Sequence, residues 1–358
     1  MNLIILDTDF NAVAILDVYE SFIWTDRFFE CGDFELYTLV TDELLENLQI
    51  DYYIVNNESE HAMIIEDIEI SADAEDGNHL TVTGRSLESI LDRRIIWGLK
   101  TLSGKLQTAI KTLITEAIIS PSNSDRQISN FTFETTDDET ITALTVDCQF
   151  TGDNLYDAIV SLCQSNGIGF KVILNDDNEF VFKLYSGSDR SYEQTDNPYV
   201  VFSSNYENIN NSNYLESKSS YKNVALIGGE GEGTERVYAS TGSATGMDRR
   251  EMFTDARDVS SEDEDGNTLS DSEYEALLVE RGTEDLAENT EVSSFEGSAD
   301  TTLMYTLNED YYIGDIVQIM DDYGHEDRVR VVEIVISESE EGYTVYPTFV
   351  SVSEESDE

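Results

Sequence analysis

The passage from strand to helix at residues 79–97 constrains this chain more than any other segment. It sets three of the chain's thirteen arginines, Arg85, Arg93 and Arg94, within fourteen residues of a sequence starved of positive charge. His79-Leu80-Thr81-Val82-Thr83 alternates as a half-buried strand does. Gly84 is expected to let the backbone turn, and Ser86 to cap the helix that follows. Leu87, Ile90 and Leu91 then share one helical face. Arg93 and Arg94 fall in the last turn, where the helix dipole favours cations.

That scarcity of cations is general. Subtracting 75 acidic from 20 basic residues leaves a net charge of −55, which argues against binding nucleic acid through phosphate contacts and against an anionic membrane surface. Of the basic residues thirteen are Arg and seven Lys, and Arg keeps a planar, bidentate grip on carboxylates. Most of the arginines are therefore expected in ion-pair networks. The acidity itself reads in two ways, as adaptation to salt and solubility or as a wall that repels DNA phosphate. At 358 residues the length fits about two or three domains. Forty per cent apolar residues, with 19 Tyr and 15 Phe, suffice for real cores.

Periodicity predicts β-rich ends around an α/β middle. Strands are expected at 2–7, 12–16, 33–39, 52–55, 63–70 and 79–83, with a hairpin turn at 75–78. A helix follows over 102–119, ended by Pro121, and a second starts at Asp153 and stops at Asn166-Gly167. Strands 170–174 and 179–184 pair across Asn175-Asp176-Asp177-Asn178. Residues 185–213 are polar and Asn/Ser-rich and read as a long surface connection. Strands 221–228 and 234–240, a charged helix at 270–289 opened by Asp271, and strands from 292 onward come next. Segments 313–320, 328–336 and 343–350 complete a meander with turns at Asp321–Gly324 and Glu340–Gly342. The expected organisation is a β region at 1–100, an α/β insert at 101–200, a second β region at 201–350 and an acidic tail at 351–358. No collagen or heptad period is present, and nothing approaches the roughly 18 consecutive apolar residues of a membrane span. The first residues lack a basic region and read as a strand rather than a signal peptide.

Chemistry-bearing motifs are few. Gly228–Gly233 follows a strand, but its glutamates would repel a phosphate and no helix opens after it, so it reads as a hairpin tip rather than a nucleotide cradle. Asp263–Gly266 resembles part of a calcium loop, yet Ser261 and Ser272 stand where its first and twelfth ligands belong. His61, His79 and His325 have no partner at ligand spacing. Cys31, Cys148 and Cys163 are odd in number and lack a C-x-x-C spacing, which predicts core thiols and intracellular assembly rather than a disulfide framework. With 75 acids, no carboxylate pair stands out as a glycosidase couple. Catalytic, cofactor and metal sites are therefore all expected to be absent. Trp24 and Trp97, the two tryptophans, are either core residues or interface anchors. Arg93 and Arg94 are placed either in ion pairs of their own chain or against a neighbouring subunit.

Four segments in a fixed order carry a resemblance. They are Glu20–Leu36, with Trp24, Arg27 and the strand Gly32-Asp33-Phe34-Glu35-Leu36; Gly84–Trp97; Gly246–Asp258, with Arg249 and Arg250; and Asp310–Val317, with Asp315. Together they resemble the tail-tip hub proteins of siphoviruses, the family related to the baseplate hub and to the N-terminal domain of tail-associated lysins. The resemblance implies a predominantly β, α+β fold in which two tail-tube-like β-barrels flank the α/β insert, the barrels lying in 1–100 and 201–350. It implies a structural, non-enzymatic protein of the virion tail tip in phage or prophage: a ring-forming homotrimer that closes the tail tube. Its implied partners are the distal tail protein, the C-terminus of the tape-measure protein, and receptor-binding or tip proteins. It further implies that Trp24, Arg27, Arg85, Arg93, Arg94, Trp97, Arg249, Arg250 and Asp315 serve structure or subunit contact. Many relatives continue into a fibre, a hydrolase or a receptor-binding module, whereas this sequence stops at Glu358, which implies a hub alone. The alternatives are a tail-associated cell-wall hydrolase or peptidase and a carbohydrate-binding adhesion module.

Overall fold

The computed structural model describes residues 2–73, 77–263, 266–299, 304–320, 326–340 and 342–352. The expected turns at 75–76, 321–324 and 341, His325, Glu264-Asp265 of the calcium-like loop, and 353–358 of the acidic tail lie outside the described residues. The chain divides into two compact units. One comprises Met1–Ser89, Phe170–Leu215 and Ser294–Glu358, the other Ile90–Gly169 and Glu216–Ser293. The units interleave along the chain, whereas the divisions expected from sequence follow chain order.

The first unit is built on one large sheet, with thirteen strands among the described residues. Ser21–Arg27 lies at its centre, hydrogen-bonded to Asp33–Leu39 on one side and to Glu326–Ser339 on the other. Trp24 is thus in register with Phe34 and with Ile336, and the two ends of the chain meet in one sheet. Period-two alternation turns Phe22 and Trp24, Phe34 and Leu36, and Leu80 and Val82 inward, where all are buried. Each such side chain contributes roughly 1.5–3 kcal/mol by leaving water. The path of strand pairs is open, and no closed barrel is found among the described residues. The fold is predominantly β and of the α+β class.

Gly84 does not turn the backbone. It sits inside the strand Gly77–Ser86, paired with Phe34 and Ile65. A Cβ there would fall 1.8 Å from the carbonyl oxygen of Ile64 and 2.9 Å from the Phe34 ring, so close strand packing is what requires glycine. The following helix, Leu87–Arg93, is of the 3₁₀ type. The Ser86 hydroxyl accepts the Gly32 amide at 2.7 Å instead of serving as a simple helix cap.

The hairpin Gly169–Leu174 and Phe180–Tyr185 is closed as its turn residues predict. Asn175 Oδ1 accepts the amides of Asp177 and Glu179, and Asn178 takes φ +60°. The polar stretch after Tyr185 is not a plain surface connection. It contains Val201–Ser203, parallel to Ile316–Met320, and the strand Ile209–Ser217. The apolar run Val200-Val201-Phe202 is buried, and Asn208 closes the turn behind it by bonding Val201 O and the Ser203 amide.

In the second unit Leu99–Lys105 pairs with Thr145–Thr151, so the expected helix begins only at Leu106. It runs to Ile114 and continues as a π turn, Thr115–Ile119. Helix Leu155–Ser165 is capped by Asn154, whose side chain accepts the Tyr156 amide. Val224–Gly228 is flanked by Tyr238–Thr241 and Glu251–Asp255, and Gly228–Gly233 lies in the connection between the first two. Helix Asp271–Glu288 opens on a full capping box between Ser270 and Glu273. It packs Tyr274, Leu277 and Leu278 with Ala225 and Ile227.

Candidate functional site

Four of the residues singled out from sequence tie the first unit together. Trp24 is fully buried and its indole Nε1 donates to Asp26 Oδ1 at 2.9 Å. Arg27 bridges Glu333 (2.7 Å) and Asp33 (2.5 Å) and also donates to the carbonyl of Cys31. Arg85 grips Glu66 with both Nε and Nη2, at 2.7 and 3.0 Å. The register shift between Ile65 and Asp67 makes Glu66 the extra residue of a β-bulge. Asp315 is buried and accepts from Arg190 Nε, the Ser188 amide and the Tyr312 amide. All four hold strands or loops in place rather than forming an open site.

A buried ionic cluster lies in the same unit. His61 Nδ1 stands 3.2 Å from Glu88 Oε1. Glu88 also accepts the Val172 amide at 2.7 Å, while Asp26 accepts from Ser59 Oγ and from Trp24. Burial alone would lower the histidine's pKa, but the charges of Asp26 and Glu88 outweigh it and raise the group to about 9. Burial also pushes Glu88 upward, yet His61, Ser86 and the Val172 amide hold it below the usual range. Burial leaves Asp26 above its usual range. Three residues far apart in sequence thus form a charge cluster in which His61 and Glu88 are buried and Asp26 is partly exposed; no spacing rule could have found it.

The second unit carries a surface of different character. Trp97 is 48% exposed, as is Ile95, so the two tryptophans divide between core and surface. The guanidinium of Arg126 lies 4.3 Å from the centre of the Trp97 ring and Nη2 donates to the carbonyl of Ile95. Arg94 donates to the carbonyls of Arg126 and Arg93. Arg93 is exposed beside them. Two shallow clefts, about 380 and 360 Å³, flank the Trp97–Arg126 pair. Arg126 escaped the sequence reading because only the fold carries it to Trp97. Elsewhere in this unit Arg249 pairs with Glu251 at 2.5 Å and Arg250 donates to the Lys218 carbonyl over the Tyr221 ring.

Among the described residues no group of three or more His, Cys, Asp or Glu side chains is placed to hold a metal ion. Cys31, Cys148 and Cys163 are buried free thiols, and burial raises the pKa of Cys148 and Cys163. No described helix is long and apolar enough to cross a membrane. What the geometry of the second unit offers is an arginine-aromatic surface suited to carboxylates.

The fold is shared with phage tail proteins. The prophage MuSo2 43 kDa tail protein from Shewanella oneidensis superposes with a TM-score of 0.59 at 12% identity, covering 98% of each chain. The tail protein from Neisseria meningitidis MC58 gives 0.57 at 12% identity, over 98% of this chain and 96% of that one. Prophage tail protein gp18 from Listeria monocytogenes EGD-e gives 0.56 at 14% identity, over 97% and 94%. No curated protein matches the sequence. The family described as Siphovirus ReqiPepy6 Gp37-like protein matches residues 2–349, and this chain belongs to that family.

Proposed function

We propose that the chain is the structural hub at the tail tip of a long-tailed phage or prophage, closing the tail tube and joining it to the distal tail protein. The observation that carries this reading is the family match over 2–349. Fold likeness to prophage tail proteins along nearly the whole chain supports it. In this reading the protein is a non-enzymatic homotrimeric ring, and each subunit contributes two tube-like barrels. Three subunits would then present a pseudo-sixfold collar to a sixfold tube. The tape-measure C-terminus meets the ring on one side, and receptor-binding or tip proteins on the other. The chain holds no stable contact with DNA.

Gold-labelled antibody against the purified chain tests the location on intact virions. Label confined to the tip opposite the head is the expected result. Label spread along the tube would contradict it. Release of peptidoglycan fragments by the isolated chain would favour the hydrolase reading instead.

A further inference from the structure

We propose that Arg94, Arg126 and Trp97 form a docking surface for the carboxylate-rich face of a second copy of this chain. This rests on the homotrimer reading above and names the contact it uses. Arg250 and Arg330 donate to backbone carbonyls, while Arg27, Arg85, Arg190, Arg236, Arg281 and Arg328 each reach a carboxylate of their own subunit. Arg94 and Arg126 do not. Among the described residues their hydrogen bonds run to backbone carbonyls alone, in a protein with 75 acids available. The two guanidiniums lie close enough that burial and the charge of Arg94 both lower the pKa of Arg126. Among the described residues neither guanidinium forms a salt bridge.

The surroundings match what an interface core requires. Trp and Arg dominate the energetics of protein interfaces, especially when stacked and set among recesses that exclude water. Here Arg126 stacks on a Trp97 that is half exposed, and Ile95 stands beside it. Clefts on both sides of this ridge give a partner's side chains depth to enter. Asp92 and Asp125 also line one cleft, and Asp92 Oδ1 accepts from Asn154 Nδ2 at 2.8 Å. Charge selects the occupant: copies at −55 repel one another, and contact favours the place where uncommitted cations meet a neighbour's carboxylates.

The test is the dissociation constant of the oligomer, from mass photometry and light scattering across a dilution series at low and high salt. Arg94→Gln/Arg126→Gln is expected to weaken association at least about tenfold at low salt, with the gap from wild type narrowing as salt screens the lost cations. Arg94→Lys/Arg126→Lys, which keeps the charge, should retain most of the association, and thermal melting of each variant verifies folding. An oligomeric wild type with an unchanged double Gln variant would overturn the docking surface and leave the ring reading standing. Equal loss in the Lys and Gln variants would overturn the electrostatic basis. A wild type that stays monomeric at all concentrations would overturn both proposals. Loss of binding to another tail protein, with self-association intact, would assign the surface to that protein and contradict the second copy as occupant.

Discussion

His61 Nδ1 lies 3.2 Å from Glu88 Oε1 in the interior of the first unit, and the partly exposed Asp26 supplies a second acid to the same cluster. Removing the cation strands the buried Glu88 without its partner. His61→Ala is expected to cost about 3–5 kcal/mol, the usual penalty for breaking a buried pair by deleting one partner. Urea unfolding at neutral pH measures it. A loss below about 1 kcal/mol would show that the acids are neutral and the pair contributes little.

The same histidine sets a pH window. Its folded pKa, about 9, lies above the ordinary histidine value of 6.5, so the folded state holds the proton longer than the unfolded state. The stabilisation is fully present below about 6.5 and is lost as pH rises through about 9. Melting temperature should fall across that interval in the wild type, and His61→Gln should flatten the fall.

Glu284 in the second unit also costs stability as pH rises, but because its charged form is disfavoured by burial. Burial, helped by Glu280, Asp285 and Glu288 and opposed by Arg281, raises its carboxyl from 4.5 to about 7. Stability is therefore lost between about 4.5 and 7 as the unfolded chain ionises first, and the penalty is constant above that. Glu284→Gln should stabilise the protein by about 1–3 kcal/mol at pH 8 and have little effect at pH 4. Equal effects at both pH values would contradict the assignment.

Much of the frame was legible because strand periodicity is local. Ala12–Leu16 and Asp33–Leu39 lie where alternation places them, and the Asn175 turn and the helix ending at Glu288 follow from turn and cap chemistry. Ile209–Ser217 was hidden because nothing in its Asn/Ser-rich sequence announces pairing with a strand, Val292–Ala299, that comes much later in the chain. Gly84 was misread because a glycine marks a turn and a close backbone approach alike. The candidate surface was half visible. Arg93, Arg94 and Trp97 stand together in sequence, but Arg126 joins them only through the fold, and no local signal tells a buried Trp24 from an exposed Trp97.

The acidity should govern interactions in solution. Fluorescence anisotropy is expected to detect no binding of duplex DNA even at low ionic strength, because a net charge of −55 repels the phosphates. Self-association should strengthen with added salt, since screening, with a Debye length of about 10 Å at 0.1 M, relieves the repulsion between copies that each carry −55. Salt-reversible DNA binding would contradict the reading of the charge.

The central claim, a ring-forming structural hub, is tested most directly by light-scattering mass combined with class-averaged electron microscopy of the purified chain. A species of three subunits with a central opening and threefold averages is the predicted result. A compact monomer at every concentration, or a filament without closure, would contradict it.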